Sequence, residues 1–494
     1  MLDAISRITW IEYWIRRHAN TIAISMLFIA SFLYYSLLSA KSYTWVFTSG
    51  DSGEFMAMAH YWSAPHLYGM PLYQALSHGV YALGGDLAWN MSVLLSALPA
   101  ALTIIITYLI VSHIANNRWI ALVSSMVLLG AAVFTTEAQV IKEYSLAVML
   151  LTLSFYFYIK GHKALAVISI GLGSAVHMVV VAIAVLWFLL QWRQWYKYIP
   201  LYVVFGVLPY GLTLWELSNN SPPFLAGHGL SFETINAYLG FTGIAGGLAA
   251  TAAPARIWAE IRVIIISLGL ALVPLFVGLN KPWNITSKML IVAIAFPVWY
   301  YLTCMDSTTW TYLCFAMPFC AIAVGIGLQR LRGYHTQVIL VGAIIMIAMN
   351  GYFLNSSRLD AQESTAKSYY AAIMDIPDGS VVTVHRGGFY GSGLFYAMSN
   401  GKDVIPVYYR YEDEKNILWW QYIDWMHEQY PLSGNSTQAM IASALEQDIE
   451  VYAFVPFVEG WEQIFDYEPY NQYFVKVTGV SNEAVYSPLY KETQ

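Results

Sequence analysis

Apolar residues along this 494-residue chain fall in long blocks, not in strict alternation or narrow stripes. Eleven blocks are readable, at about 20–40, 91–113, 118–136, 143–160, 164–176, 178–191, 198–217, 257–279, 288–304, 310–329 and 335–354. Blocks of this length, nearly free of charge, predict membrane-spanning helices. One run, Ala164 to Leu190, reads either as two short helices or as one long tilted helix. We split it at Gly173–His177. After residue 357 the pattern changes. "DGSVVTVHRGGFYGSGLFYAMSNGKDVIPVYYRY" predicts strand, glycine-rich turn, helix and strand; "WWQYIDWMHEQY" predicts a helix, and "DIEVYAFVPF" and "YFVKVTGV" further strands. Alternating strands and helices predict a small α/β domain over 358–494, following a helical membrane domain over 1–357.

Charge tests the helix count. Residues 1–357 hold 16 Lys+Arg, and an inside N-terminus places 12 of them in inside loops, including Arg118, Lys160, Lys163, Arg193, Lys197, Lys288 and Arg330. Merging the two short helices would put Arg193 and Lys197 outside and invert everything after them. Eleven helices therefore satisfy the positive-inside rule and predict an outer C-terminal domain. The first block is long enough to span and lacks a cleavage pattern, so it is expected to stay as a helix.

Composition agrees. The chain is 58% hydrophobic and 11% charged, whereas soluble domains carry about 25% charged residues. The tail holds 8 Lys+Arg and 19 Asp+Glu, a net of −11, against +5 for the membrane part, the two summing to −6. An acidic outer domain argues against nucleic acid as a partner. The three cysteines, Cys304, Cys314 and Cys320, share one apolar stretch and offer no disulfide framework.

Candidate chemistry gathers in the first outer loop, residues 41–90. "TSGDSGEF" places Asp51 and Glu54 three residues apart just after a membrane helix, and "PHLYGMPLY" adds His66 and Tyr68 beside a Gly69–Pro71 turn. Two readings compete: an acidic helix start favoured by the helix dipole, or a pair of working carboxylates. Nine of the eleven acids in residues 1–357 fall outside or at outer helix ends, among them Glu137 and Glu143.

The two halves of this loop, G-D-S-G-E-F and then H-L-Y-G-M-P-L-Y, resemble the first external loop of the protein O-mannosyltransferase-like membrane proteins of the GT-C superfamily. Asp51, Ser52, Gly53, Glu54, His66, Gly69, Pro71, Leu72 and Tyr73 match that pattern; Leu67, Tyr68 and Met70 depart from it. "VIKEYSL" is similar to the stretch before the family's fourth helix and places Glu143 and Tyr144. "GLGSAVHM" is similar to a glycine-rich turn ending in histidine and places His177. "DSTTWTYLCFAMPF" is a looser likeness that lacks the family's arginine.

The resemblance implies a GT-C-like fold and a glycosyltransferase at the plasma membrane (the endoplasmic reticulum in a eukaryote), acting on the outer face. It implies a polyprenyl-phosphate sugar as donor, with mannose favoured. It implies an acceptor hydroxyl, protein Ser/Thr favoured over a polysaccharide or lipid-linked glycan. A departing phosphate needs no general acid, so the step requires a base and positive charge. Asp51 suits the base and Glu54 its partner. Glu143, His66, Tyr68 and His177 are candidates for substrate contact. Lys142 and Arg256 are candidates for the lipid phosphate, with Arg262 more simply read as a snorkelling side chain. Asp51 and Glu143 are the candidate ligands of a divalent cation, Mg or Mn. A secondary transporter and a non-catalytic glycan-binding scaffold are the rival classes. The first would want ionisable residues at mid-membrane, which the blocks lack; the second leaves the acidic motif and the histidine turn unexplained.

Overall fold

In the computed structural model, the described residues are 18, 20–38, 55, 70–84, 88–212, 254–280, 284–304, 310–331, 334–356, 368–384, 393–394, 397–398, 401–408, 437–455, 458 and 465–480. The membrane part is helical: α1 (Asn20–Leu38), α2 (Pro71–Gly84), α3 (Ala88–Ala115), α4 (Arg118–Leu129), α5 (Ala132–Glu137), α6 (Tyr144–Ile159), α7 (Lys163–Ser174) and α8 (Met178–Leu190). There follow α9 (Trp192–Leu212), α10 (Pro254–Leu268), α11 (Leu272–Leu279), α12 (Ile285–Cys304), a 3-10 turn (Trp310–Phe315), α13 (Met317–Arg330) and α14 (His335–Ser356). Each of the eleven apolar blocks carries helix. Among the described residues four stretches, Asn20–Leu38, Met91–Ala115, Ile261–Leu279 and His335–Tyr352, are long and apolar enough to cross a membrane singly, and α8 and α9 meet at a 97° bend.

Local chemistry sets the breaks. Asn117 caps α4, its Oδ1 accepting from the backbone N–H of Trp119 at 2.9 Å and of Ile120 at 3.2 Å. The block read as 118–136 is two helices, because α4 stops at Gly130 and α5 restarts after Ala131. Gly161, at φ +81, supplies the left-handed residue that turns α6 into α7. The Ala164–Leu190 run breaks as expected: α7 ends at Ser174 and His177 caps α8.

Helices facing lipid are apolar on both sides. On α1 the inward row is Leu27, Ser31, Tyr35 and Leu38, while Ile29, Leu33 and Leu37 are exposed. On α14, Val341, Ile344, Ile345 and Met349 are exposed. Such an apolar outer surface belongs in a bilayer. Inside, α13 is almost wholly buried and α11 touches it backbone to backbone at Gly278 and Gly327. Hydrogen bonds tie helices together where water is absent. Trp187 Nε1 donates to Met289 O at 3.0 Å, Asn350 Nδ2 to Gly130 O at 2.8 Å, and Ser124 Oγ to Ala321 O.

The C-terminal part holds β1 (Ser380–Val384), β2 (Val404–Tyr408), α15 (Thr437–Glu446), β3 (Val451–Phe454), β4 (Phe465–Pro469) and β5 (Phe474–Val480). They form one mixed sheet in the order β2-β1-β3-β5-β4; β1 runs parallel to β2 and β3, while β5 is antiparallel to β3 and β4. Alternation along the strands feeds two cores. Val382, Val404, Tyr452, Phe454 and Phe474 pack with Tyr369 and Ile373. Val381, Ile405, Val451, Ala453 and Val477 pack with Met440 and Ile441 of α15. Both faces are covered, as a sheet with parallel strands requires. The expected helix at "WWQYIDWMHEQY" lies outside the described residues.

Candidate active site

The link between α5 and α6, residues 138–143, is buried throughout, although connections normally run over a surface. Its backbone is held by hydroxyls. Ser96 Oγ of α3 donates to Lys142 O at 2.9 Å and accepts from Lys142 N at 3.3 Å. Ser145 Oγ donates to Glu137 O at 3.3 Å. Three charged side chains are sealed here: Glu137 is 2% exposed, Lys142 3% and Glu143 1%. Charges are this costly to bury unless they serve one another or a substrate. All three lie within electrostatic range of the Cys314 thiol.

Glu143 begins α6 without capping it. Its carboxylate turns instead to the α7–α8 break, where Oε1 lies 3.6 Å from Nε2 of His177, itself buried. His177 Nδ1 accepts from the backbone N–H of Val179 at 3.1 Å, so the proton of a neutral ring sits on Nε2, toward Glu143. The ring is boxed by Phe315, Tyr144 and Tyr312, at centroid distances of 4.9, 5.1 and 5.6 Å. The Lys142 ammonium stands over the Tyr144 ring, 5.1 Å from its centroid, an arrangement that holds a cation in an apolar setting.

α2 closes this corner. Its Leu72 N–H donates to Ala175 O at 3.0 Å, which pins the first turn of α2 to the break that His177 ends. Tyr73, fully buried, senses the charges of Glu143 and Lys142 and packs edge-on against Phe55 at 5.2 Å. Four separate segments thus converge: the start of α2, the 137–144 link, the α7–α8 break and the 310–315 turn.

No family profile matches the chain, and no curated protein sequence does. Its fold is similar to that of ArnT. The crystal structure of ArnT from Cupriavidus metallidurans bound to undecaprenyl phosphate matches with a TM-score of 0.65 at 12% identity, over 93% of this chain and 98% of that one. ArnT in the apo state matches with a TM-score of 0.57 at 13% identity, over 92% and 97%. At these identities the likeness is one of fold, and it does not extend to the O-mannosyltransferase family that the loop motif resembles.

Of the residues expected to work together, Lys142, Glu143 and His177 meet within this ArnT-like fold. Arg256 lies in the first turn of α10, with its side chain outside the described residues. Asp51, Glu54, His66 and Tyr68 also lie outside them. No group of three His, Cys, Asp or Glu side chains that could hold a metal ion occurs among the described residues. The sequence marks Glu137 only as one of several outer acids and Tyr144 only as the neighbour of Glu143; the boxing of His177 by Tyr144, Tyr312 and Phe315 is visible only in the fold.

Proposed function

We propose that this chain is a membrane glycosyltransferase that moves a sugar from a polyprenyl-phosphate donor to an acceptor hydroxyl in one inverting displacement. The observation that carries this reading is the buried Lys142–Glu143–His177 cluster beneath α2, in a fold shared with an enzyme that binds undecaprenyl phosphate. Phe55 packs against Tyr73 at this corner. Asp51 and Glu54 enter the reading on the loop motif.

Asp51 takes the proton of the acceptor hydroxyl, whose oxygen attacks the anomeric carbon. The bond from that carbon to the phosphate oxygen breaks, and the phosphate leaves with the electron pair. Lys142 supplies positive charge for it, with Arg256 as the second candidate. His177 and Glu143 hold the floor of the site and fix the ring tautomer. Glu54, three residues on in the same motif, is the partner carboxylate of Asp51. Asp51 and Glu143 are the pair to hold a divalent cation, although Lys142 already brings an ammonium to that neighbourhood; no step here needs the ion.

Mannose as the sugar and a protein hydroxyl as the acceptor follow the loop motif. Residues 358–494 are assigned as an outer domain, because the lipid donor arrives in the bilayer and the acceptor from water. Purified protein in lipid is offered polyprenyl-phosphate mannose and polyprenyl-phosphate glucose with a hydroxyl-bearing acceptor peptide. Release of polyprenyl phosphate, faster from the mannose donor, is expected. No release and no binding of either donor overturns the reading.

A further inference from the structure

The α2 helix, whose first turn is tied to the His177 break, carries three buried polar side chains, Tyr73, Gln74 and Ser77. Among the described residues the hydroxyls of Tyr73 and Ser77, one turn apart, have no hydrogen-bond partner. Gln74 is 1% exposed, and among the described residues neither its Oε1 nor its Nε2 has a hydrogen-bond partner. A primary amide sealed from water with both ends idle is costly, and such groups persist where something absent from the resting protein completes them. Gln74 lies in the first turn of α2, which the Leu72–Ala175 hydrogen bond ties to the His177 break. Its neighbour Tyr73 is within electrostatic range of Glu143 and Lys142.

The chemistry of the amide narrows what completes it. Oε1 only accepts and Nε2 only donates. A phosphate, all acceptor, satisfies Nε2 and leaves Oε1 idle. A hydrocarbon tail satisfies neither. Two adjacent hydroxyls satisfy both, one donating to Oε1 and the other accepting from Nε2. We propose that Gln74 reads a vicinal diol of the transferred sugar, making it a specificity-determining residue of the donor site. This rests on the transferase reading above and adds to it the group that recognises the sugar.

The test compares wild type with Gln74→Met, which keeps the volume and removes both polar ends, and with Gln74→Asn, which keeps the amide but draws it back by one methylene. Binding is read as thermal stabilisation by sugar-bearing polyprenyl phosphate and by bare polyprenyl phosphate; turnover is read separately. Wild type should gain more from the sugar-bearing lipid. Both variants should lose that increment, keep their response to the bare lipid, and show kcat/KM lowered by roughly 10- to 100-fold, up to tenfold for each hydrogen bond lost. The melting midpoint of Gln74→Met without lipid should be equal or higher, since an idle buried amide has been removed. Variants that retain the sugar increment overturn the proposal while the transferase reading stands; the amide then holds water, or a hydroxyl of the acceptor. A wild type that gains nothing from the sugar overturns both.

Discussion

The contact between α11 and α13 offers the sharpest mechanical prediction. A Cβ added at Gly327 lies 1.8 Å from the carbonyl oxygen of Pro274, and one added at Gly278 lies 1.9 Å from that of Ala323. Carbon and oxygen normally approach to about 3.3 Å, so either alanine forces the helices apart by roughly 1.5 Å. The blocking atoms are backbone and no rotamer relieves them. The cost therefore belongs at the top of the overpacking range, about 3 kcal/mol. Each methyl acts on the same narrow gap, so the pair should be strongly non-additive: once one has parted the helices, the second adds little. Gly79→Ala is the control, because nothing lies within 4 Å of its added Cβ and α2 gains helix propensity. Cys314 and Cys320 are buried free thiols, so a thiol-reactive dye reports unfolding. At a fixed scan rate the midpoint should fall by about 5 °C for Gly278→Ala or Gly327→Ala, remain near the single-variant value for the double, and not fall for Gly79→Ala. Activity should fall with the midpoint, because α13 follows directly on the turn that sets Phe315 against His177. An unchanged midpoint for Gly327→Ala, or a double variant losing twice as much as either single, refutes the close approach.

Three further outcomes are expected. His177→Asn keeps a side-chain acceptor for the Val179 N–H and should be more stable than His177→Ala by about 1 kcal/mol, the worth of a cap, yet both should transfer sugar poorly since both remove Nε2 from Glu143; full turnover in the Asn variant would show that the ring only caps a helix. Glu54→Gln and Glu143→Gln should reduce turnover less than Asp51→Asn, and an equal loss at Glu143 would move the base to the α5–α6 link. In the C-terminal sheet, Glu450 meets Lys476 at 2.5 Å and accepts from Tyr452 OH at 2.8 Å, and Lys476 first, then Tyr452, holds its carboxyl below the usual glutamate range. A lowered folded-state pKa adds stability that is present above the ordinary glutamate pKa, about 4.3, and is lost as pH falls through the folded value. Hydrogen exchange of β3 and β5, corrected for intrinsic rates, should quicken over that acidic window in wild type and respond less in Glu450→Gln; identical profiles would remove the pair from the account.

The helices were legible because each apolar block is long and its ends carry their own signals, such as Asn117 and Gly161. The break in 164–191 was legible for two independent reasons, the glycine-rich stretch before His177 and the basic residues that a merged helix would have misplaced. Gly130 was passed over inside the block 118–136 because a lone glycine among apolar residues does not by itself interrupt a hydrophobic pattern. β4, FDYEP, escaped notice because only Phe465 of its five residues is buried, so it carries no alternation. In the site, Lys142, Glu143 and His177 were each named from short motifs, but what joins them is tertiary. Nothing in spacing says that a carboxylate opening α6 will face a histidine opening α8, or that Tyr312 and Phe315 will box that histidine. Glu137 is a like case: its burial at the end of α5 is set by the packing and not by its neighbours in sequence.

The account turns most directly on Asp51. Wild type and Asp51→Asn are reconstituted in lipid, given polyprenyl-phosphate mannose and acceptor, and followed for polyprenyl phosphate release, with and without a divalent chelator. The account predicts release by wild type, loss of release in Asp51→Asn with donor binding retained, and little effect of the chelator. Release at the wild-type rate from Asp51→Asn would contradict it.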